Sequence, residues 1–197
     1  MLPSGVLSES AARWLLVLHT ALGVAAVGAA THLALWMRRY VRGDHGRGRA
    51  VRRFAWLSLS LHAAAFVAGN LMYPTYRVEV RTAYLENAAA ISADRAARQR
   101  ELERIAAREG APAPEVAPAS ELVGRAARAA RWFDVKEHWV ALGLLASLGL
   151  VLLLAFWDPR TGAPAIAPAA LGLAIVIAGT VWCAAIIGVI TSSWRAV

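Results

Sequence analysis

Four long stretches of this chain carry no formal charge, and each is long enough to cross a lipid bilayer. Residues 14–37 (WLLVLHTALGVAAVGAATHLALWM) give 24 consecutive uncharged positions when His19 and His32 are neutral. At ~1.5 Å per residue this is ~36 Å of helix, enough to cross a ~30 Å hydrocarbon core with some tilt. The other runs are residues 54–73, ending at Pro74; 139–157, ending before Asp158 and Pro159; and 168–194, opened by Pro168, with its spanning part over about 168–190. Trp14, Trp36, Trp56, Trp132, Trp139, Trp157 and Trp194 fall at or near the ends of these runs, where amphipathic rings settle at headgroup level. The expected fold is all-α: a four-span transmembrane helix bundle in a single membrane domain, with residues 77–137 inserted between spans two and three as an extramembrane helical hairpin.

Composition agrees. Apolar residues make up 58% of the chain and charged ones 17%, yet the formal net charge is +8. Soluble domains are more charged and less apolar, and a nucleic-acid binder would carry its positive charge on a charged, aromatic-dotted surface. Nucleic acid is therefore not an expected partner; the lipid bilayer is. Cys183 is the single cysteine, so an intramolecular disulfide framework and multi-cysteine metal sites are excluded. Residues 1–13 hold one arginine and one glutamate before a 24-residue run, unlike the basic start and short apolar core of a cleaved signal, so the first span is read as retained.

Arginine sets the orientation. Residues 38–53 (RRYVRGDHGRGRAVRR) hold seven arginines against Asp44, a net +6 tight against the membrane. Short basic loops stay cytoplasmic. Residues 158–167 lie on the same side with Arg160 against Asp158, and residues 77–137 carry 11 basic and 10 acidic residues. Both termini and the long segment are thus expected outside, in a cell membrane of the bacterial inner-membrane type. The high pI becomes a topology signal, and the basic loop a surface for contact with anionic lipid headgroups.

Within 77–137, Ser92 or Asp94 can cap a helix through DRAARQRELERIAARE, with Gly110 as its stop. Residues 111–119 hold three prolines and read as a connector, and Ser120 starts a second helical stretch able to run directly into the third span. This segment is either a solvated spacer or a surface that docks an outer-side or membrane protein partner.

Polar groups at membrane depth are functional suspects. Counting inward from the run ends pairs His32 with His62 in the inner half and His19 with His138 in the outer half; His45 sits in the arginine loop and is expected to be solvated. Two tiers of imidazoles on different helices are what bis-histidine b-type haem needs, with His32 and His62 as the first candidates to hold haem iron. Gly23, Ala26 and Ala30 share the His19 face, and Ala21, Ala25 and Gly28 the His32 face, which leaves room beside each ring. In arrangement, on these four histidines alone, the chain resembles di-haem membrane cytochromes. One spacing departs from that pattern: His19 and His32 are 13 residues apart, so roughly 140° apart around the helix.

A second polar cluster gathers Asn70, Tyr73 and Arg77 at the end of span two with Lys136 and Glu137 before span three. Pro74 should kink or end its span, with Asn70 covering a carbonyl freed there and Arg77 pairing with Glu137. Such a cluster is either an interfacial clamp or a pocket for a quinone head group. In the fourth span Thr180 and Cys183 are the reactive candidates. Phosphate-binding glycine loops, His-Glu-x-x-His and hydrolase triads are absent, so a stand-alone enzyme is not expected. Three functions stay open: a b-type electron-transfer subunit, a non-catalytic scaffold whose hairpin docks a partner, and a proton or ion path through the same histidines.

Overall fold

The computed structural model describes residues 6–158, 160–162 and 165–192. Trp194, Pro159 and the tail of the fourth run lie outside the described residues. Among those described, the structure is all-helical: α1 (Glu9–Val41), α2 (Gly48–Thr75), α3 (Ala88–Glu109), α4 (Ala119–Phe156) and α5 (Ile166–Ser192). Helices α1, α2, α4 and α5 are long and apolar enough to span a membrane; α1 and α2 include residues 14–37 and 54–73, α4 includes 139–156 with Trp157 just past its end, and α5 includes 168–190.

These four helices pack in cyclic order α1, α2, α4, α5, each against two neighbours. Small residues let them approach: Ala26 and Ala30 on α1, Ala55 on α2, Ala146 on α4, and Ala170 and Ala174 on α5 are all buried. Larger side chains fill the end near the arginine loop, where Leu33, Met37, Val51, Leu150 and Leu154 are at most 2% exposed. Leucines, valines and tryptophans point outward instead, as hydrocarbon permits: Trp14, Trp56 and Leu145 are among the most exposed. Trp182, far from either end of α5, satisfies its indole N–H by donating to Thr31 Oγ1 on α1 at 3.0 Å. Trp157 departs from the boundary pattern, being 5% exposed and packed against Gly162.

The arginine loop is short and folded. A 3₁₀ turn (His45–Arg47) joins α1 to α2, and the His45 ring stands edge-on to Tyr40 at 5.7 Å. His45 is thus half-buried and not simply solvated. The two connections at this end are tied together, since Arg160 donates to the His45 carbonyl at 3.1 Å.

At the opposite end the segment between spans two and three is built from three helical pieces instead of a two-helix hairpin. Pro74 does not stop α2: the chain stays helical and continues through Tyr76–Leu85 in the wider π register. Proline removes one rung of the hydrogen-bond ladder, and the register change beyond it keeps the backbone helical. Helix α3 then crosses between this extension and the first turns of α4. Leu85, Ile91, Ala126 and Ala130 form a small core there, flanked by Tyr76, Val80, Leu122 and Val123. The cap of α3 is Asn87, whose side chain accepts from the Ala90 N–H, and not Ser92 or Asp94, which lie inside the helix. Gly110 ends α3 at φ +66°, where a side chain would be strained. The proline-rich connector is held to α3 by Arg95, which donates to the carbonyls of Val116 and Ala117, and by the Gln99 carbonyl, which accepts from the Val116 N–H. Helix α4 runs unbroken from this layer into the membrane.

Candidate functional site

Among the described residues, the buried polar side chains are Ser58, His62, Ser147 and Thr180. On α2, Ser58 and His62 are one turn apart and 1% and 3% exposed. Opposite them α4 presents Gly143 and Ser147, and α5 presents Thr180. Gly143 is what admits the imidazole: a Cβ built there would lie 2.7 Å from His62 Cε1 and 3.0 Å from Thr180 Cβ. Ser147 donates to its own helix at the Gly143 carbonyl (2.8 Å) and Thr180 to the Ile177 carbonyl (3.0 Å). Such back-bonding satisfies hydroxyls in a dry helix. The His62 ring also meets the Val140 backbone of α4, whereas its Nδ1 and Ser58 Oγ have no hydrogen-bond partner, and an unmade buried bond costs about 1–3 kcal/mol per group.

Further toward the three-piece layer, His19 of α1 sits against the same face of α2. Its Nδ1 is 2.9 Å from the Ala65 carbonyl, and the absence of a side chain at Gly69 makes room, since a Cβ there would lie 3.2 Å from His19 Cε1. Ala65 is three residues, ~4.5 Å of helical rise, beyond His62. Beyond that again Lys136 of α4 turns inward. Its ammonium lies over the Phe133 ring at 5.2 Å, 3.5 Å from where a Cβ on Gly188 of α5 would stand, and within electrostatic reach of His19. Lys136, His19 and His62 thus succeed one another along the bundle, the first two half-buried and His62 buried, with Ser58 one turn beyond His62 and Leu33, Met37, Val51 and Leu150 buried nearer the arginine loop.

The expected cluster at the end of α2 divides. Across the helices the ion pair is Arg81 with Asp134, bidentate at 2.6 and 3.2 Å, with Glu86 on the Arg81 Nε at 2.7 Å; it is not Arg77 with Glu137. Arg77 is one turn nearer the membrane on the π-wound segment and is exposed. It lines a groove of about 350 Å³ with Tyr73, Arg81, Thr82 and Glu86. Asn70 donates to the Phe66 carbonyl at 2.9 Å, a turn before the break at Pro74, and so does not cover it. Tyr76 stacks on Phe133 at 3.9 Å, fastening α2 to α4 beside Lys136 and the half-buried Glu137.

The histidines sort differently from their depths. His32 is exposed beside Trp36 and Phe54, with Nδ1 at its own helix's Gly28 carbonyl (2.9 Å). His138 is likewise exposed, with Nδ1 2.8 Å from the Asp134 carbonyl. Neither expected pair, His32 with His62 or His19 with His138, shares a cleft. A b-type haem needs two imidazoles aimed at one iron from opposite sides, and these rings do not fit that demand within one chain. What they do form is the His19–His62 line. Ser58, Gly143 and Ser147 belong to that line without having been singled out from sequence; their signal was a small or polar residue one turn from His62, and another such pair one turn apart in the leucine-rich third span. Among the described residues no group of three or more His, Cys, Asp or Glu side chains is placed to hold a metal ion. Compared with protein-family models, curated proteins and solved structures, the chain matches none.

Proposed function

We propose that this chain, whose four apolar helices are those of a multi-pass membrane protein, provides a proton path whose stations are Lys136, His19 and His62. The observation that carries the reading is His62: an imidazole 3% exposed, packed between apolar helices, with Nδ1 unpartnered. Ionisable groups at membrane depth are retained against their cost where they move charge. An imidazole can accept a proton at one ring nitrogen and release one from the other, so it relays a proton without keeping the charge. Glycines at 69 and 143 give both rings room on the bundle's inner side. The apolar plug of Leu33, Met37, Val51 and Leu150 makes the last step a gated one, since helices must part there for water to meet Ser58. With the arginine loop in the cytoplasm the line opens to the outside, with both termini and the three-piece layer on that side.

The test is proton flux in proteoliposomes. An imposed pH gradient, with the membrane potential clamped, is expected to collapse several-fold faster than in protein-free vesicles. His62→Leu returns the rate to that of empty vesicles, whereas His32→Ala and His138→Ala leave it unchanged. A wild-type rate equal to that of empty vesicles overturns the proposal. So does a preparation made with haem supplied that shows b-type bands abolished by His32→Ala or His62→Ala, which would return the histidines to electron transfer.

A further inference from the structure

We infer that the arginine end of the bundle is a binding surface for anionic phospholipid headgroups. Arg38, Arg39, Arg42, Arg47, Arg49, Arg52 and Arg53 are all exposed. Among the described residues Arg47 alone of these pairs with a carboxylate, that of Asp44 at 3.5 Å. Arg160 brings an eighth guanidinium from the neighbouring connection through its bond to the His45 carbonyl. The carboxylates at this end are Asp44 and Asp158, so eight cations face two anions. With so few carboxylates among them, these guanidiniums leave an excess of positive charge for an external anion to meet.

The surface is built and does not merely trail from the membrane. Tyr40 is 3% exposed beneath the loop, the His45 ring stands edge-on to it, and Gly48 is so close that a Cβ would lie 3.2 Å from the Tyr40 ring. Arg38 and Arg39 therefore leave the last turn of α1, Arg42 caps it, and Arg49, Arg52 and Arg53 leave the first turns of α2, around one short turn. Their depth is set as well. Trp36 and Phe54 pack edge-to-face at 4.5 Å just inside the loop, and Trp56 is 60% exposed at the same level. Such rings settle at the headgroup boundary, which brings the guanidiniums to the depth of the lipid phosphates. A planar guanidinium matches a phosphodiester through paired N–H donors. The ligand chemistry is thus a phosphodiester carrying net negative charge, and a lipid supplies it at the right depth where a free phosphate would not.

The full chain would be reconstituted in phosphatidylcholine bilayers containing phosphatidylglycerol, with bromine on one lipid or the other, and tryptophan fluorescence read. At equal bromine content the anionic lipid is expected to quench as if enriched about fivefold around the protein. Replacing Arg49, Arg52 and Arg53 together by glutamine, which takes the end from eight cations to five against the same two anions, should cut the excess to about half, with helical content unchanged by circular dichroism. Equal quenching in the wild type would overturn the inference, as would an excess undiminished by the triple replacement. Loss of the excess on adding inorganic phosphate, but not chloride of the same ionic strength, would assign the surface to free phosphate and overturn it too.

Discussion

Replacing Gly143 by alanine is expected to destabilise the bundle by about 1–3 kcal/mol, the usual cost of forcing an extra methyl into a packed core. The new Cβ would stand 2.7 Å from His62 Cε1 and 3.0 Å from Thr180 Cβ, closer still to the Thr180 hydroxyl oxygen. Neither neighbour can step aside cheaply, because each is buried and fixed to a spanning helix. Two comparisons separate this from a general glycine effect. Gly149 lies on the same helix with nothing within 4 Å of an added Cβ, so Gly149→Ala should gain up to about 1 kcal/mol from helix propensity. Thr180→Ala in the Gly143→Ala background removes the worst contact and should recover most of the loss. Reversible unfolding in mixed micelles measures all three variants. Gly143→Ala as stable as the wild type would mean that α2, α4 and α5 do not meet at this point.

His62→Leu is expected to have the opposite sign on stability while abolishing proton flux. Leucine is of similar bulk: it removes a buried Nδ1 that has no partner and gives up only the ring's contact with the Val140 backbone, whose carbonyl keeps its own helix partner. Relief of an unmade hydrogen bond in a dry interior is worth about 1–3 kcal/mol, so the variant should unfold at a higher detergent or denaturant concentration. A residue that costs stability and carries activity is what a functional polar group inside hydrocarbon looks like. His19→Leu should behave differently, since His19 Nδ1 is bonded to the Ala65 carbonyl at 2.9 Å and its loss removes a tie between α1 and α2. A His62→Leu protein less stable than the wild type would mean that the ring's contact with the Val140 backbone outweighs the unmade bond at Nδ1, and that its role is structural.

Much of this arrangement is written in hydropathy. Runs of twenty or so uncharged residues need no context to become spans, so α1, α2, α4 and α5 fall where counting puts them. What counting does not supply is the direction each side chain faces. Depth alone matched His32 with His62, yet 13 residues from His19 to His32 turn the second ring well away from the first. The packing face of α1, marked by Ala26, Ala30, Leu33 and Met37, includes His19 and leaves His32 outside the bundle. Pro74 misleads for a related reason: a missing N–H is a local fact, whereas the stacking of Tyr76 on Phe133 and the Arg81–Asp134 pair that keep the chain helical beyond it are tertiary. The same holds for Lys136. Among charged neighbours it reads as part of a surface cluster, but its long stem lets the ammonium turn inward over Phe133 and toward His19.

The most direct measurement of the central claim is sided access to the His62 position. In a Cys183→Ala background, His62→Cys in oriented proteoliposomes would be exposed to a small, charged, membrane-impermeant thiol reagent from one side at a time. The proton-path account predicts modification from the side bearing α3 and protection from the side bearing the arginine loop, where Leu33, Met37, Val51 and Leu150 close the interior. Modification from the arginine side, or from neither, would contradict it.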